Sequence, residues 1–368
     1  MPRIEVAGEI VANPPNNFER FPVSAIPFFD GHNDTLLRLL DQGDDAATAF
    51  VEGNAKTDID LPRAREGGMV GGFFAMFPPP LKSSGTLTAT ERNEGKLPAE
   101  LEFEPAMRSI NSMARLLYKI EQSGVLRVCR NAGSLREAIA AGEMAALFHI
   151  EGAEPIDLKL DSLHVLHAAG LRSLGLTWSR ANAFGTGVPF KFPADPDIGP
   201  GLTDAGKALV RECNALGVLI DLSHLNAAGF RDVAATSQKP LVATHSNVHA
   251  LCAHPRNLLD WQLAAIRETK GVVGLNYAVG FLREDGQFRA DTELEVLVRH
   301  VDALLEALGE DGVALGSDFD GAMMPRPIKD VAGVPNLLQA MLDKGYGEPL
   351  VRKIALDNWL SVVERTIG

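Results

Sequence analysis

The chain has 368 residues, 46% of them hydrophobic, and a formal net charge of −13. That length permits one large domain or two medium ones, with ample apolar mass for a core. The acidic balance argues against nucleic acid or an anionic membrane surface as a partner, since both need a basic face.

Three cysteines, Cys129, Cys213 and Cys252, show neither metal-type nor framework spacing. A disulfide-stapled fold is therefore not expected, and a reducing, cytoplasmic compartment fits better. Met1 to Glu19 has no apolar run with a basic lead, so no signal peptide is expected. No stretch is apolar for long enough to span a bilayer, and the tail Val362 to Gly368 lacks a lipid-anchor signal.

Residues 1–25 are polar and Pro-bearing and read as an edge strand or arm. Apolar residues then lead into Phe28-Phe29-Asp30-Gly31-His32-Asn33-Asp34-Thr35, as in a buried strand. Residues i and i+2 of a strand share a face, so His32 and Asp34 can reach one point, although Asp34 could also cap the next helix. Leu36 to Asp44 can start a short helix. Asp58 to Gly67 reads as a helix with its Pro near the start, and Gly68 to Phe77 as a second buried strand. Pro78 to Glu100 reads as a polar loop without a period, and a loop that long is usually functional or mobile. Glu104 to Gln122 has apolar residues at helical spacing.

A rhythm of strand and helix then sets in. Strands are predicted at Ala145–Ile150, Leu171–Leu176, Val218–Leu222, Leu241–Ala243, Gly271–Asn276 and Val313–Gly316. Helices are predicted at Leu158–Ala169, Thr203–Leu216, Ala227–Ala235, Leu258–Glu268 and Glu293–Leu308, with Val334–Lys344 and Glu348–Ile367 closing the chain. A Gly/Pro-rich loop runs from Gly185 to Gly201, and Val125–Val128 is a further short strand outside the count. Eight strands alternating with helices mean parallel strands with crossover helices, and eight such units point to a single (β/α)8 TIM barrel spanning 1–368. In such a barrel the active site lies at the C-terminal ends of the strands.

Five of those ends carry ionisable residues: His32 and Asp34; His149 and Glu151; Asp221 and His224; His245; Asp318 and Asp320. One polar end is ordinary, because helices need caps, but five are hard to ascribe to capping. Asp34 and Asp320 could each be caps. His149 could share the face of Glu151 or be a core histidine. His164, His167 and His300 lie within helices and read as surface or packing residues, whereas His249 and His254 could support the site from the loop after the sixth strand. His32, Asp34, Glu151, His224 and His245 are too many ligands for one tetrahedral zinc with an open position. They suit two metals sharing a carboxylate, with Glu151 as the bridge and a water held between the ions as hydroxide. Asp318 is then left as the proton carrier.

With these residues the sequence resembles the membrane (renal-type) dipeptidases, the binuclear zinc branch of the amidohydrolase-like barrels. The motifs are DGHND (Asp30 to Asp34), IEG (Ile150 to Gly152), IDLSH (Ile220 to His224), THSN with the following CAHPRN (Thr244 to Asn257), GSDFDG (Gly316 to Gly321) and the tail DNWLSVVE (Asp357 to Glu364). The resemblance implies two Zn2+ per chain, one held by His32, Asp34 and Glu151, the other by Glu151, His224 and His245. It implies Asp318 as proton carrier, Arg256 as the clamp on a dipeptide's carboxylate, and a homodimer. A guanidinium fork suits that carboxylate bidentately. One position departs from the family pattern. Where the mammalian type has Thr-His-Ser, this chain has Thr177-Trp178-Ser179. An indole donates one hydrogen bond and accepts none; Trp178 could still donate to substrate, or Asn182 could fill the role. The expected activity is hydrolysis of free dipeptides, L-Xaa-L-Xaa or L-Xaa-D-Xaa. The alternatives are an amidohydrolase of N-acyl amino acids or lactams, and a metal-binding barrel without catalysis.

Overall fold

The strands, in chain order, are β1 (Phe28–Asn33), β2 (Met69–Met76), β3 (Leu126–Val128), β4 (Met144–Glu151), β5 (Leu171–Gly175), β6 (Leu219–Asp221), β7 (Val242–Ala243), β8 (Val272–Leu275) and β9 (Val313–Leu315). This computed structural model describes residues 26–368 apart from positions 82 and 84. The arm expected at 1–25 lies outside the described residues. All neighbouring strands pair in parallel, in the order β1-β2-β4-β5-β6-β7-β8-β9. The ring closes just past β9. There the Asp318 N–H donates to the His32 carbonyl at 3.0 Å, and the Asp34 N–H donates to the Phe319 carbonyl at 2.8 Å. The result is the (β/α)8 barrel expected from the alternation. β3 stands outside the ring: it pairs with the first residues of β4, while β5 pairs with the last ones.

The helices follow local sequence signals. Asp60 caps Leu61–Gly67 by accepting from the Arg63 N–H, Pro62 sits in the first turn, and Gly68 ends the helix at φ 80°. Phe103–Glu121 buries Ala106, Ile110, Met113, Leu117 and Ile120, the three- and four-residue spacing of one helical face. Four helices among the described residues were not expected: Ala46–Glu52, Ala89–Glu94, Ala132–Ala141 and the short Val279–Leu282. The second corrects the reading of Pro78–Glu100 as plain loop, since Thr88 and Glu91 form a reciprocal capping box there. The closing helix is not continuous either. A π-type turn at Lys353–Asp357 separates Glu348–Arg352 from Asn358–Ile367.

That last helix plugs the bottom of the barrel. Trp359 is fully buried, donates from its indole N–H to the Leu315 carbonyl at 2.8 Å, and meets the Phe73 ring at 5.1 Å. Gly31 and Gly274 make room for it: a Cβ at either would lie 2.5 or 3.1 Å from the indole. Above the plug an aromatic column continues through Phe73 and His149 (6.2 Å) to His32 (5.4 Å). The floor of the barrel and its upper rim are thus in continuous contact.

Candidate metal centre

The upper rim gathers the five predicted ligands. His32 Nε2 lies 3.7 Å from Asp34 Oδ2 and 3.8 Å from Glu151 Oε1. Glu151 Oε1 lies 3.0 Å from His224 Nε2 and 3.6 Å from His245 Nε2. The two histidine nitrogens are 3.3 Å apart. Glu151 Oε1 therefore lies between His32 on one side and His224 and His245 on the other. His32 and Asp34 converge although Asp34 has left the strand and the β1–β2 register shifts between Asp30 and Asn33. Asp34 occupies the cap position of the helix Thr35–Leu40 without a side-chain capping bond. The metal-type groupings place Asp318 beside His32 and Asp34, and bring Asp221 near His32 and His245.

Residues to which the sequence reading gave no supporting role hold these predicted ligands in place. Thr244 Oγ1 donates to Asp221 Oδ2 at 2.6 Å, so its oxygen accepts from His245 Nδ1–H at 2.8 Å, leaving Nε2 as a lone pair toward the site. Asp221 also accepts from the Thr244 and Ser223 amides, which makes it an anchor rather than a ligand. Ser179 Oγ lies 2.8 Å from His224 Nδ1 and does the same for that ring. His149 proves to be a core histidine under the site, 2.9 Å from Ser173 Oγ. Both His224 (φ 67°) and Asp318 (φ 64°) sit in the left-handed region. Non-glycine residues rarely adopt it, and such strain concentrates at functional sites.

The electrostatics of this group fit cations. Both ring nitrogens of His32 and Oδ1 of Asp34 are buried without a hydrogen-bond partner, a costly state unless a ligand takes them. Burial pushes the Glu151 carboxyl up to about 8. Burial pulls His32 down, but the carboxylates of Glu151 and Asp34 outweigh it and push the ring up to about 10. The acidic groups thus draw positive charge into a dry pocket. His224 and His245 are held well below the usual histidine range by burial. They stay neutral, the form that ligates a metal.

Around the five ligands lie the other predicted residues. Asp318 faces the same pocket, accepts from the Asn276 amide at 2.9 Å, and is pushed up by burial. Arg256 is buried; its Nη2 donates to the His245 carbonyl at 3.0 Å and its Nε has no partner. His254 accepts from the Arg256 amide at 3.1 Å and so supports that residue, whereas His249 ties the Ala194 carbonyl of the long loop at 3.0 Å. Trp178 lines the cleft above Glu151 and His224. Asn182 does not reach it. Its amide donates to the Leu176 carbonyl, and its oxygen accepts from the Phe184 and Gly185 amides, so it is a turn residue. Asp320 accepts from Thr35 Oγ1 and the Asp58 amide instead of capping a helix. His164 pairs with Glu212 at the surface, and His300 is buried on the Leu282 carbonyl.

A family model described as membrane dipeptidase (peptidase family M19) matches residues 18–367. A Rhodobacter sphaeroides metallopeptidase, crystallised with a phosphinate mimic of the dipeptide L-Ala-D-Ala, is 48% identical, with a TM-score of 0.89 over 93% of this chain and 100% of that one. The crystal structure of a dipeptidase of family M19 is 49% identical, also at a TM-score of 0.89, over 94% and 100% of the two chains. An uncharacterised Klebsiella pneumoniae protein of the pqqA 5′ region is 48% identical over 242 residues, 66% of this chain and 89% of the relative. A probable dipeptidase from Pseudomonas aeruginosa, 21% identical over 93% and 95% of the chains with a TM-score of 0.78, shares the fold. No helix among the described residues is long and apolar enough to cross a membrane. The family match runs through all eight barrel strands and every predicted ligand position at their ends, and the chain accordingly belongs to the membrane dipeptidase family as a metal-dependent hydrolase of peptide bonds.

Proposed function

We propose that the protein is a two-zinc dipeptidase that cleaves the peptide bond of free dipeptides, L-Xaa-L-Xaa or L-Xaa-D-Xaa. The observation that carries this reading is Glu151 standing between two ligand groups, within 3.8 Å of His32 and 3.0 Å of His224. The 48% identical R. sphaeroides metallopeptidase with its L-Ala-D-Ala mimic supports the substrate class. His32, Asp34, Glu151, His224 and His245 would hold the zinc, which would supply water activation at neutral pH and polarisation of the scissile carbonyl. Asp318, buried and pushed up in pKa, is placed to take a proton and deliver it to the leaving amine. Asn276 fixes one of its oxygens and leaves the other free for that transfer. Arg256 pairs with the substrate carboxylate through a guanidinium that burial has stripped of water. Because that clamp is fixed, a single residue spans the distance between it and the metals.

The test combines metal analysis with kinetics. Purified protein should hold two zinc ions per chain and turn over dipeptides with a free amine. Asp318→Asn should keep the metal and lose about 10²- to 10⁴-fold in kcat. Turnover confined to blocked amines would move the activity to N-acyl amino acids. Failure to take up zinc would remove the site.

A further inference from the structure

The cleft over the metal centre, of ≈ 590 Å³, has two unlike walls. One carries Asp34, Arg38, Asp318 and Asp320. The other is an arc of rings. Phe77 and Trp178 lie 4.9 Å apart, Trp178 and Phe190 lie 5.4 Å apart, and Phe190 stacks on Phe281 at 6.3 Å with planes 12° apart. The arc begins beside the ligands: Trp178 is 6.1 Å and Phe190 6.3 Å from the His224 ring. It ends at Phe281, whose ring centre is 5.5 Å from the guanidinium carbon of Arg256. It therefore runs alongside the interval between metals and carboxylate clamp. On the dipeptidase reading, on which this inference rests, that interval holds the C-terminal residue of the substrate.

We infer that Trp178, Phe190 and Phe281 form an apolar subsite for the C-terminal side chain, so that the enzyme selects dipeptides ending in a large apolar or aromatic residue over those ending in Gly or Ala. The cleft volume lies in the range that holds a drug-sized ligand, well beyond what two alanines fill. Trp178 and Phe190 are half-buried, with area left to cover. The arc is also held rigid from behind. The Arg180 guanidinium lies 5.4 Å from the Phe77 ring and 5.6 Å from the Trp178 ring, and is itself pinned to Glu154 at 2.6 Å. A pre-formed wall of this kind loses little on binding. The Trp178 indole thereby acts on substrate choice, through area.

Hydrolysis of L-Ala-Gly, L-Ala-Ala, L-Ala-Leu and L-Ala-Phe, with both enantiomers of the last residue, tests this on the metal-loaded full chain. Burial of one large apolar side chain predicts a kcat/KM for the Phe-ending peptide about 10- to 100-fold above the Gly-ending one. Phe190→Ala and Trp178→Ala should each shrink that ratio by about 2- to 10-fold. A flat profile in the wild type, or a preference that survives both variants, overturns the subsite while leaving the dipeptidase intact. If no free dipeptide is turned over by protein carrying two zinc ions, the dipeptidase reading fails instead. Calorimetric titration of zinc-loaded Asp318→Asn with the same peptides then decides the subsite: tighter binding of Phe-ending peptides supports it, and equal or absent binding removes it.

Discussion

Glu154 and Arg180 form an ion pair whose side chains are both 0% exposed, with Arg180 Nε 2.6 Å from Glu154 Oε1. Glu154→Gln keeps the shape of the side chain and removes its charge. Arg180 is then left in the interior with the Pro78 carbonyl at 2.8 Å and the faces of Phe77 and Trp178 as its remaining company. Breaking a buried pair by removing one partner costs about 3–5 kcal/mol, because the other charge stays desolvated. Globular chains unfold with roughly 2.1 cal/mol/K per residue near 60 °C, so 368 residues carry about 0.8 kcal/mol/K. The melting temperature should therefore fall by about 4–6 °C at fixed zinc. Scanning calorimetry reads this directly, and Trp178 fluorescence reports whether the indole has moved. Replacing both partners, Glu154→Leu with Arg180→Met, should restore most of the loss. A shift below about 1 °C in Glu154→Gln, or a double variant worse than the two singles together, would show that the pair is solvated or uncoupled and refute the reasoning.

Three further outcomes follow from the geometry. Arg256→Lys keeps the charge but loses the planar fork, and KM for free dipeptides should rise about 10- to 100-fold with a smaller change in kcat; an unchanged KM would remove the clamp. Asp320 is pushed up to about 7 by burial and by the Asp58 carboxylate. Between its ordinary 3.8 and that value the folded state holds a proton the unfolded chain has released, so stability declines as pH rises across this window. Asp320→Asn lacks that slope, and urea denaturation should show it gaining on the wild type between pH 5 and pH 8; a pH-independent gap would contradict the shift. Gly274→Ala would set a Cβ 2.0 Å from the Thr244 carbonyl and 3.1 Å from Trp359. It should cost about 1–3 kcal/mol and loosen zinc, because Thr244 holds His245; dialysis against a weak chelator measures the second effect.

The barrel and the cluster of ionisable residues at its rim were legible in the sequence because parallel strands are buried on both faces. Each shows as an apolar run with its chemistry just beyond the end, as in Ala145 to Glu151. The roles of the supports were not legible. Asp221 stands inside such a run, and only the adjacency of β6 and β7 shows that it reaches Thr244 and through it His245. Asn276 and Ser179 likewise act across strands. The left-handed backbone at His224 and Asp318 has no residue signature, since neither is glycine. The aromatic arc joins Phe77, Trp178, Phe190 and Phe281, positions too far apart in the chain for any spacing rule. Asn182 sits close to Trp178 in sequence, yet its turn directs it elsewhere. The helix Ala89–Glu94 is different. Its Thr-x-x-Glu cap was there to be read, and the polar composition around it masked the signal.

The column from Trp359 through Phe73 and His149 to His32 sets a birth order for the enzyme. Trp359 is synthesised well after His32, yet the earlier residue stands on the later one. A nascent chain carries all the predicted ligands for several seconds, at about 5–20 residues per second, before Trp359 is made. A complete metal centre should therefore wait until the helix Asn358–Ile367 has been made and has docked. Zinc-dependent resistance to protease should accordingly appear on chains that include the helix Asn358–Ile367 and not on stalled chains that end before residue 358.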